Sequence, residues 1–169
     1  MEIERKFLVN EIPSLNGLRH SKITQGYISF SPETRIRKMD DKYYLTKKGE
    51  GMIVREEIEN EVLKSEGEKY FEQVISNLII KTRYYIPYDK HTIELDIYEG
   101  IFKGLIVAEV EFESLDEANL FTPPAWFGED ISNNIEYRNK ILATKYWQKH
   151  FVLLKFNIFY KNYKKRNSK

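Results

Sequence analysis

Charged side chains recur at every second position in several short stretches of this chain. The first stretch is at the N-terminus, where Glu2, Glu4 and Lys6 are separated by single residues. The same spacing is found in five later segments: RIR (35–37), REEIENE (55–61), KTR (81–83), ELD (94–96) and EVEFE (109–113). Clustered carboxylates suit hard divalent cations such as Mg²⁺ or Mn²⁺, and clustered arginine and lysine side chains suit phosphate. Together, the two sets indicate a site for a complex of metal and polyphosphate.

A period of two residues places each charged set on a single face of a β-strand. Segments rich in Ile, Val, Tyr, Phe and Thr predict eight strands, at residues 2–9, 22–30, 33–39, 42–48, 53–62, 80–88, 91–99 and 105–113. Their close spacing favours antiparallel hairpins in a sandwich or a barrel. The predicted fold class is therefore α+β. We expect helices outside the sheet at 66–78 and 134–150, a short helix at 114–121 and a rigid loop at 122–130.

The charged faces of these strands have three interpretations. They could simply be solvated, but like charges two residues apart on one strand face repel each other, which argues against this reading. In a closed barrel of about eight strands, the interior holds side chains or shares its space with a small ligand. The charged faces would then line that interior. If the acids and bases faced one another directly, they would instead form a structural network of ion pairs.

Composition narrows the class of protein further. The chain has 169 residues, which is the size of one domain with a sizeable core. Its 27 Lys and Arg residues against 26 Asp and Glu residues give a formal net charge of +1, which argues against bulk electrostatic binding to nucleic acid or a membrane surface. There is no cysteine, so nothing calls for an oxidising compartment, and no apolar run approaches the length of a membrane span. We expect a cytoplasmic protein.

The order of these motifs resembles the CYTH domain family, the triphosphate tunnel metalloenzymes. Glu2-x-Glu4-x-Lys6 looks like the family signature, and QGY (25–27) resembles its second strand. The later segments match its other strands in order, and they are RIR (35–37), TKK (46–48), REEIE (55–59), KTR (81–83), ELD (94–96) and EVEF (109–112). The likeness covers roughly residues 1–147. It implies an eight-stranded antiparallel β-barrel whose charged tunnel binds a triphosphate and a divalent metal.

The resemblance also implies a role for each matching residue. The phosphate chain would be held by seven basic residues: Lys6, Arg35, Arg37, Lys48, Arg55, Lys81 and Arg83. The metal, Mg²⁺ or Mn²⁺, would be held by six acidic residues: Glu2, Glu4, Glu59, Asp96, Glu109 and Glu111. Glu57 and Glu94 would bind the metal directly or support its ligands.

Two residues are candidates for the catalytic step. Tyr27 would position or deprotonate the attacking water, and Lys81 would instead orient the phosphate that is cleaved. An unperturbed tyrosine is a poor base at neutral pH, so packing at a strand end is the alternative for Tyr27.

We therefore predict a metal-dependent triphosphate hydrolase, with inorganic tripolyphosphate as the favoured substrate. The alternatives within the family are adenylate cyclase and hydrolysis of thiamine triphosphate, nucleoside triphosphates or RNA 5′-triphosphate ends. The alternative outside enzymes is a polyphosphate- or nucleotide-binding module without turnover. Beyond the domain at 1–147, residues 148–169 are predicted to form a helical extension with a basic tail. This extension would remain loose, cover a tunnel mouth or pack against a second subunit in a homodimer.

Overall fold

The computed structural model describes residues 3–48 and 57–145, and within them the chain is mainly β-structure. The strands are β1 (Ile3–Val9), β2 (His20–Phe30), β3 (Glu33–Met39), β4 (Lys42–Lys48), β5 (Glu57–Val62), β6 (Ile79–Tyr88), β7 (His91–Tyr98), β8 (Ile106–Phe112) and β9 (Phe127–Asp130). The helices are α1 (Lys64–Glu72), α2 (Leu115–Leu120) and α3 (Asn139–Thr144), with 3₁₀ turns at Gly100–Phe102 and Ile135–Tyr137. In this part of the chain, no helix has the length and hydropathy required to cross a membrane.

The nine strands that the structure describes form one antiparallel sheet in the order β5–β4–β3–β2–β6–β7–β8–β1–β9. The predicted antiparallel sheet with few helices is confirmed, and the strand count rises from eight to nine. The additional strand, β9, lies inside the predicted loop at 122–130 and pairs with β1 through Phe7–Asp130 and Val9–Phe127. Its four residues follow two prolines and include a glycine, and such a segment carries little strand signal in the sequence.

Strands β5 and β9 are the two edges of this sheet, and no pairing between them is present in residues 3–48 and 57–145. The prediction of a closed eight-stranded barrel is therefore corrected to a nine-stranded sheet that hydrogen bonds between described strands do not close. The physical reason is that β9 takes the second edge of β1, so the sheet extends past β1 and ends at β9 instead of closing from β1 onto another of the eight predicted strands.

Backbone packing divides the chain into two compact units. The first unit includes Ser21–Thr82 and Ile135–Lys145, and the second includes Glu2–His20 and Arg83–Asn134. The predicted domain boundary at residue 147 stays a prediction, since it falls outside the described residues.

In the first unit, the apolar face of the sheet packs against α1. Ile36 and Tyr43 are buried on this face. Gly67 of α1 lies so close to the Tyr43 ring that an added Cβ would come within 2.2 Å of it. The close approach of helix and sheet therefore depends on the absence of a side chain at Gly67.

The predicted helix at 66–78 ends earlier, at Glu72, because the residues after it bind the backbone of β2. The N–H of Ile75 donates to the carbonyl of Tyr27 at 2.9 Å, and the N–H of Tyr27 donates to Oγ of Ser76 at 2.9 Å. The pairing of β2 with β3 is irregular just after Tyr27. Residues 75–76 therefore provide hydrogen-bond partners for the N–H and the carbonyl of Tyr27.

The predicted helix at 134–150 is also shorter in the part that the structure describes. A 3₁₀ turn spans Ile135–Tyr137, and α3 spans Asn139–Thr144. The remainder of the predicted helix lies outside the described residues.

In the second unit, the core consists of apolar side chains from one face of β1, β7 and β8, together with α2 and β9. Phe7, Leu95 and Val110 are buried on this face. The ring of Phe127 on β9 packs on Phe7 with a centroid distance of 4.7 Å. In this unit, the alternation of apolar and charged residues therefore predicted correctly which face of each strand is buried in the apolar core.

Candidate functional site

In the first unit, the strand register gathers polar and charged side chains on the face opposite α1. Gln25 of β2 lies opposite Arg37 of β3. Arg35 lies opposite Thr46 of β4, which lies opposite Glu59 of β5. Directly opposed residues of antiparallel strands project to the same face. We call Gln25, Arg35, Arg37, Thr46 and Glu59 the arginine cluster.

Within the arginine cluster, Glu59 holds both guanidinium groups. Nη2 of Arg35 lies 3.3 Å from Oε2 of Glu59, and Nη2 of Arg37 lies 3.6 Å from the same oxygen. The Thr46 hydroxyl donates to that oxygen at 2.6 Å and accepts from Arg35 at 3.1 Å. Burial alone would raise the pKa of Glu59, but the hydrogen bond from Thr46 and the charges of Arg37 and Arg35 outweigh it and lower the pKa. Two cations and one anion leave a net charge of +1, which favours a further anion.

Buried donors of the arginine cluster include Nε2 of Gln25 and Nε of Arg35. Neither atom has a hydrogen-bond acceptor among residues 3–48 and 57–145. A buried donor left without an acceptor costs about 1–3 kcal/mol, so native proteins rarely retain one without a functional reason. An oxyanion bound on this face would accept hydrogen bonds from such donors.

Three further lysines of the first unit add positive charge. Lys48 pairs with Glu57 at 3.0 Å, and Lys81 of β6 is buried, with 2% of its surface exposed. Lys140 of α3 pairs with Glu33 at 3.3 Å. Lys48 and Lys81 were singled out by the strand pattern, whereas Lys140 was missed because it lies on a helix.

Tyr27 lies directly opposite Arg35 in the register of β2 and β3. It is 2% exposed, and its ring packs 5.8 Å from the ring of Phe30. This placement fits a residue that positions a group beside Arg35, and it also fits a packing residue. The catalytic role of Tyr27 therefore stays a prediction.

In the second unit, the register of β1, β7 and β8 places acids and bases together on the face opposite the apolar core. Glu4 lies opposite Glu111, and Lys6 lies opposite Glu109. Glu94 also lies opposite Glu109, from the other side. We call Glu4, Lys6, Arg83, Glu94, Asp96 and Glu109 the carboxylate cluster.

Lys6 lies between two acids of the carboxylate cluster. Its Nζ is 3.1 Å from Oε1 of Glu4 and 3.1 Å from Oε1 of Glu109. Burial alone would lower the pKa of the Lys6 ammonium group, but the charges of Glu109 and Glu4 and their hydrogen bonds outweigh it and raise the pKa. Lys6 is therefore a permanent cation at neutral pH.

Arg83 contacts three acids of the carboxylate cluster. Its Nε and Nη2 donate to the two oxygens of Asp96, each at 2.7 Å, which is the two-point geometry of strong arginine–carboxylate pairs. Nη2 also donates to Glu109 at 3.0 Å, and Nη1 donates to Glu94. Asp96 is fully buried, and Glu109 is 8% exposed.

The carboxylate cluster carries more acids than bases. Its four carboxylates and two cations give the six members a formal net charge of −2; Asp96 and Glu109 are buried, Glu94 is half-buried and Glu4 is exposed. A divalent cation would balance this charge, and carboxylate oxygens are the ligands that Mg²⁺ and Mn²⁺ prefer. In residues 3–48 and 57–145, no three acidic or histidine side chains converge closely enough to hold a metal. In the same residues, Lys6 pairs with Glu4 and Glu109, and Arg83 pairs with Asp96 and Glu109.

The predicted site residues are thus distributed between the two clusters. Glu2 and Arg55 lie outside the described residues. Glu59, predicted as a metal ligand, is the counter-ion of Arg35 and Arg37 in the arginine cluster. Residues that sequence reasoning missed are Gln25, Thr46 and Lys140. Gln25 and Thr46 are uncharged and therefore gave no signal in a pattern of alternating charges.

The structure is thus an antiparallel β-protein with an arginine cluster in one unit and a carboxylate cluster in the other. The chain belongs to the CYTH domain family, whose model matches residues 1–141. This match confirms the resemblance inferred from the order of the charged motifs.

Similar proteins agree with this assignment. An inorganic triphosphatase of Nitrosomonas europaea is 38% identical over 148 residues, which cover 84% of this chain and 96% of the relative. An inorganic triphosphatase of Acetivibrio thermocellus is 34% identical over 146 residues, covering 84% of this chain and 92% of the relative. A crystal structure of an inorganic triphosphatase matches with a TM-score of 0.69 at 34% identity, covering 86% of this chain and 95% of that one.

Proposed function

We propose that this chain is a metal-dependent triphosphatase and that inorganic tripolyphosphate is its favoured substrate. The observation that carries the proposal is the arginine cluster, which has a net charge of +1 and buried donors such as Nε2 of Gln25 that lack an acceptor in the described residues. The relatives that are 38% and 34% identical are inorganic triphosphatases, which supports the same substrate here.

The phosphate chain is the ligand that the basic residues would hold. The proposed phosphate ligands are Lys6, Arg35, Arg37, Lys48, Arg55, Lys81 and Arg83. A guanidinium group binds phosphate through two parallel hydrogen bonds, which gives Arg35 and Arg37 both affinity and orientation.

A divalent metal, Mg²⁺ or Mn²⁺, is the proposed cofactor. The proposed metal ligands are Glu2, Glu4, Glu59, Asp96, Glu109 and Glu111. The net charge of −2 on the carboxylate cluster fits a divalent cation, and such a cation supplies charge neutralisation for the phosphate oxygens. Lys6 lies 3.1 Å from Glu109, and Arg83 lies 2.7 Å from Asp96. Lys6 and Arg83 would contact phosphate oxygens, and Glu4, Asp96 and Glu109 would supply carboxylate oxygens to the cation.

In the proposed reaction, water attacks the terminal phosphorus of tripolyphosphate and the adjacent P–O anhydride bond breaks. The products are orthophosphate and diphosphate. The attacking water must be oriented and must lose a proton, for which Tyr27 is the candidate, and Lys81 is the candidate that would instead orient the phosphate that is cleaved. Both are buried in the first unit.

Tyr27→Phe separates the catalytic role of the hydroxyl from packing, because it removes only the oxygen. A positioned acid or base contributes about 10²–10⁴-fold. If Tyr27 handles the water, kcat should fall by at least about 100-fold with little change in KM. A kcat close to that of the native protein would leave Lys81 as the candidate, to be tested by Lys81→Met.

The preference for tripolyphosphate over ATP follows from what the proposed ligands bind. They contact phosphates, which every triphosphate shares, and shared contacts cannot discriminate between substrates. The nucleoside of ATP would then affect binding only through its size, if the protein excludes it sterically. If residues 148–169 provide that exclusion, truncation after Lys149 should raise kcat/KM for ATP relative to tripolyphosphate.

The experiment that tests the proposed function compares kcat/KM for tripolyphosphate, ATP and thiamine triphosphate in the presence of Mg²⁺, with cyclic AMP formation measured in parallel. We expect tripolyphosphate to give the highest value and cyclic AMP to be absent. An equal or higher value for ATP would move the proposal to a nucleotide-specific member of the family. A cytoplasmic location, a homodimer and the lack of a nucleic-acid partner remain predictions.

A further inference from the structure

We propose that Gln25 is a further ligand of the triphosphate, and that its side-chain amide donates a hydrogen bond to a phosphate oxygen beside Arg37. This inference rests on the proposed function. It assigns a binding role to an uncharged residue that the pattern of acids and bases does not include.

The first argument is the burial of a donor. Gln25 is 1% exposed, and its Nε2 has no acceptor in the part of the chain that the structure describes. Folding therefore removes this amide from water without giving it an acceptor there. A bound oxyanion would supply that acceptor.

The second argument is the chemistry of the residues around Gln25. It lies directly opposite Arg37, and opposed side chains start from Cβ atoms about 4.5–5.5 Å apart. Guanidinium groups donate hydrogen bonds and cannot accept them. The acid of the arginine cluster, Glu59, already accepts from Thr46 and Arg35. An anion is therefore the group that satisfies the amide and the guanidinium groups together.

The third argument is the fixed position of the backbone at Gln25. The next residue, Gly26, is so tightly packed that an added Cβ would lie 2.6 Å from the Val74 side chain and 3.0 Å from that of Leu78. A donor on a strand held in this way is already positioned before the ligand arrives. Because the amide is neutral, it adds a donor without adding repulsion between cations in the ligand-free protein.

The test compares native protein with Gln25→Met, which keeps the length of the side chain and removes the donor. Calorimetric titration with tripolyphosphate in the presence of EDTA measures binding without turnover. We expect the Kd of Gln25→Met to rise about 10- to 100-fold, which is the usual effect of losing a hydrogen bond to a charged group. The Tm of the variant without tripolyphosphate should stay equal or rise, because the buried donor has no acceptor among residues 3–48 and 57–145. The matched control is Gln73→Met, since Gln73 is exposed and its amide donates to the carbonyl of Lys69 at 3.1 Å.

Gln25→Glu provides a second variant of nearly the same shape. Its carboxylate would accept hydrogen bonds from the facing guanidinium groups, so we expect a higher Tm for the ligand-free protein and weaker tripolyphosphate binding than in Gln25→Met. Native-like binding by either variant would overturn the role of Gln25 and leave the proposed function standing. A large fall in the Tm of Gln25→Met with an unchanged Kd would also overturn it, by showing that the amide stabilises the fold. If the native protein binds tripolyphosphate neither in EDTA nor in the presence of Mg²⁺, the proposed function itself fails.

Discussion

Replacement of Arg83 by methionine tests how far charge balance stabilises the carboxylate cluster. The change removes a guanidinium group that contacts Glu94, Asp96 and Glu109 and leaves these three carboxylates facing one another. Removing one partner of a buried ion pair costs about 3–5 kcal/mol. Arg83 and Asp96 are both buried, so solvent screening reduces this figure little. For a chain of 150–250 residues, each kcal/mol shifts the Tm by about 2–4 °C, which predicts a fall of roughly 6–20 °C.

The assay is thermal unfolding of native protein, Arg83→Met and Arg83→Lys in EDTA and in Mg²⁺. Arg83→Lys keeps the charge and loses the two-point contact with Asp96, so it should lose about 1.5–3 kcal/mol. Mg²⁺ should raise the Tm of Arg83→Met more than that of the native protein, since a divalent cation can replace the missing charge.

The pH dependence of this loss has a defined sign. The pKa of Arg83 is raised above its usual value, so the native contribution is fully present throughout the range from pH 5 to 9. In Arg83→Met, the carboxylates that lose this guanidinium group gain from protonation, and the deficit should shrink as the pH falls from 7.5 towards 5. A Tm in EDTA within about 2 °C of the native value would refute the reasoning, as would a deficit that does not change with pH.

Three further changes test other contacts. The lowered pKa of Glu59 means that its contribution to stability is present above its unfolded value of about 4.3 and is lost as the pH falls through the lower folded value. Glu59→Gln should therefore flatten the fall in Tm below about pH 5, and a curve parallel to the native one would contradict this. Thr46→Val removes the hydroxyl between Arg35 and Glu59, so the Kd for tripolyphosphate should rise roughly fivefold. The pKa of Glu59, measured by NMR titration, should increase as well. If both the Kd and the pKa stay unchanged, the hydroxyl is dispensable. Gly67→Ala places a Cβ within 2.2 Å of the Tyr43 ring, which should cost about 1–3 kcal/mol in urea unfolding, whereas no loss would mean that α1 can shift without penalty.

The faces of the strands could be predicted from the sequence because they follow from a period of two residues alone. Glu4 and Lys6 alternate with apolar residues, and so do Glu94 and Asp96. The partners of each strand could not be predicted in the same way. The register that sets Gln25 against Arg37 depends on the turn at 31–32 and on the irregular pairing after Tyr27, and alternation carries no information about either.

Apolar spacing extended the predicted helix at 66–78 beyond its actual end. Val74, Ile75 and Leu78 have helical spacing, yet the backbone of Ile75 binds Tyr27 instead of continuing α1. The hydrogen bond that competes with the helix joins residues 27 and 75, which are 48 positions apart in the sequence. Tertiary hydrogen bonding of this kind overrides local periodicity, and a single sequence does not reveal it.

The assignment of charges to partners was also beyond the sequence. The family resemblance placed Glu59 among the metal ligands, a role that stays a prediction, and the structure adds that its carboxylate lies between Arg35 and Arg37. Lys6 and Arg83 likewise bind the acids that were predicted to bind metal. Which acid pairs with which base depends on the register between strands, and the pattern of charges along the sequence does not contain that register.

The most direct test of the central claim is product analysis after incubation of the native protein with tripolyphosphate and Mg²⁺. We predict that orthophosphate and diphosphate appear in equal amounts, that EDTA stops their release and that added Mg²⁺ restores it. Binding of tripolyphosphate without release of either product would contradict the claim and identify the chain as a phosphate-binding module.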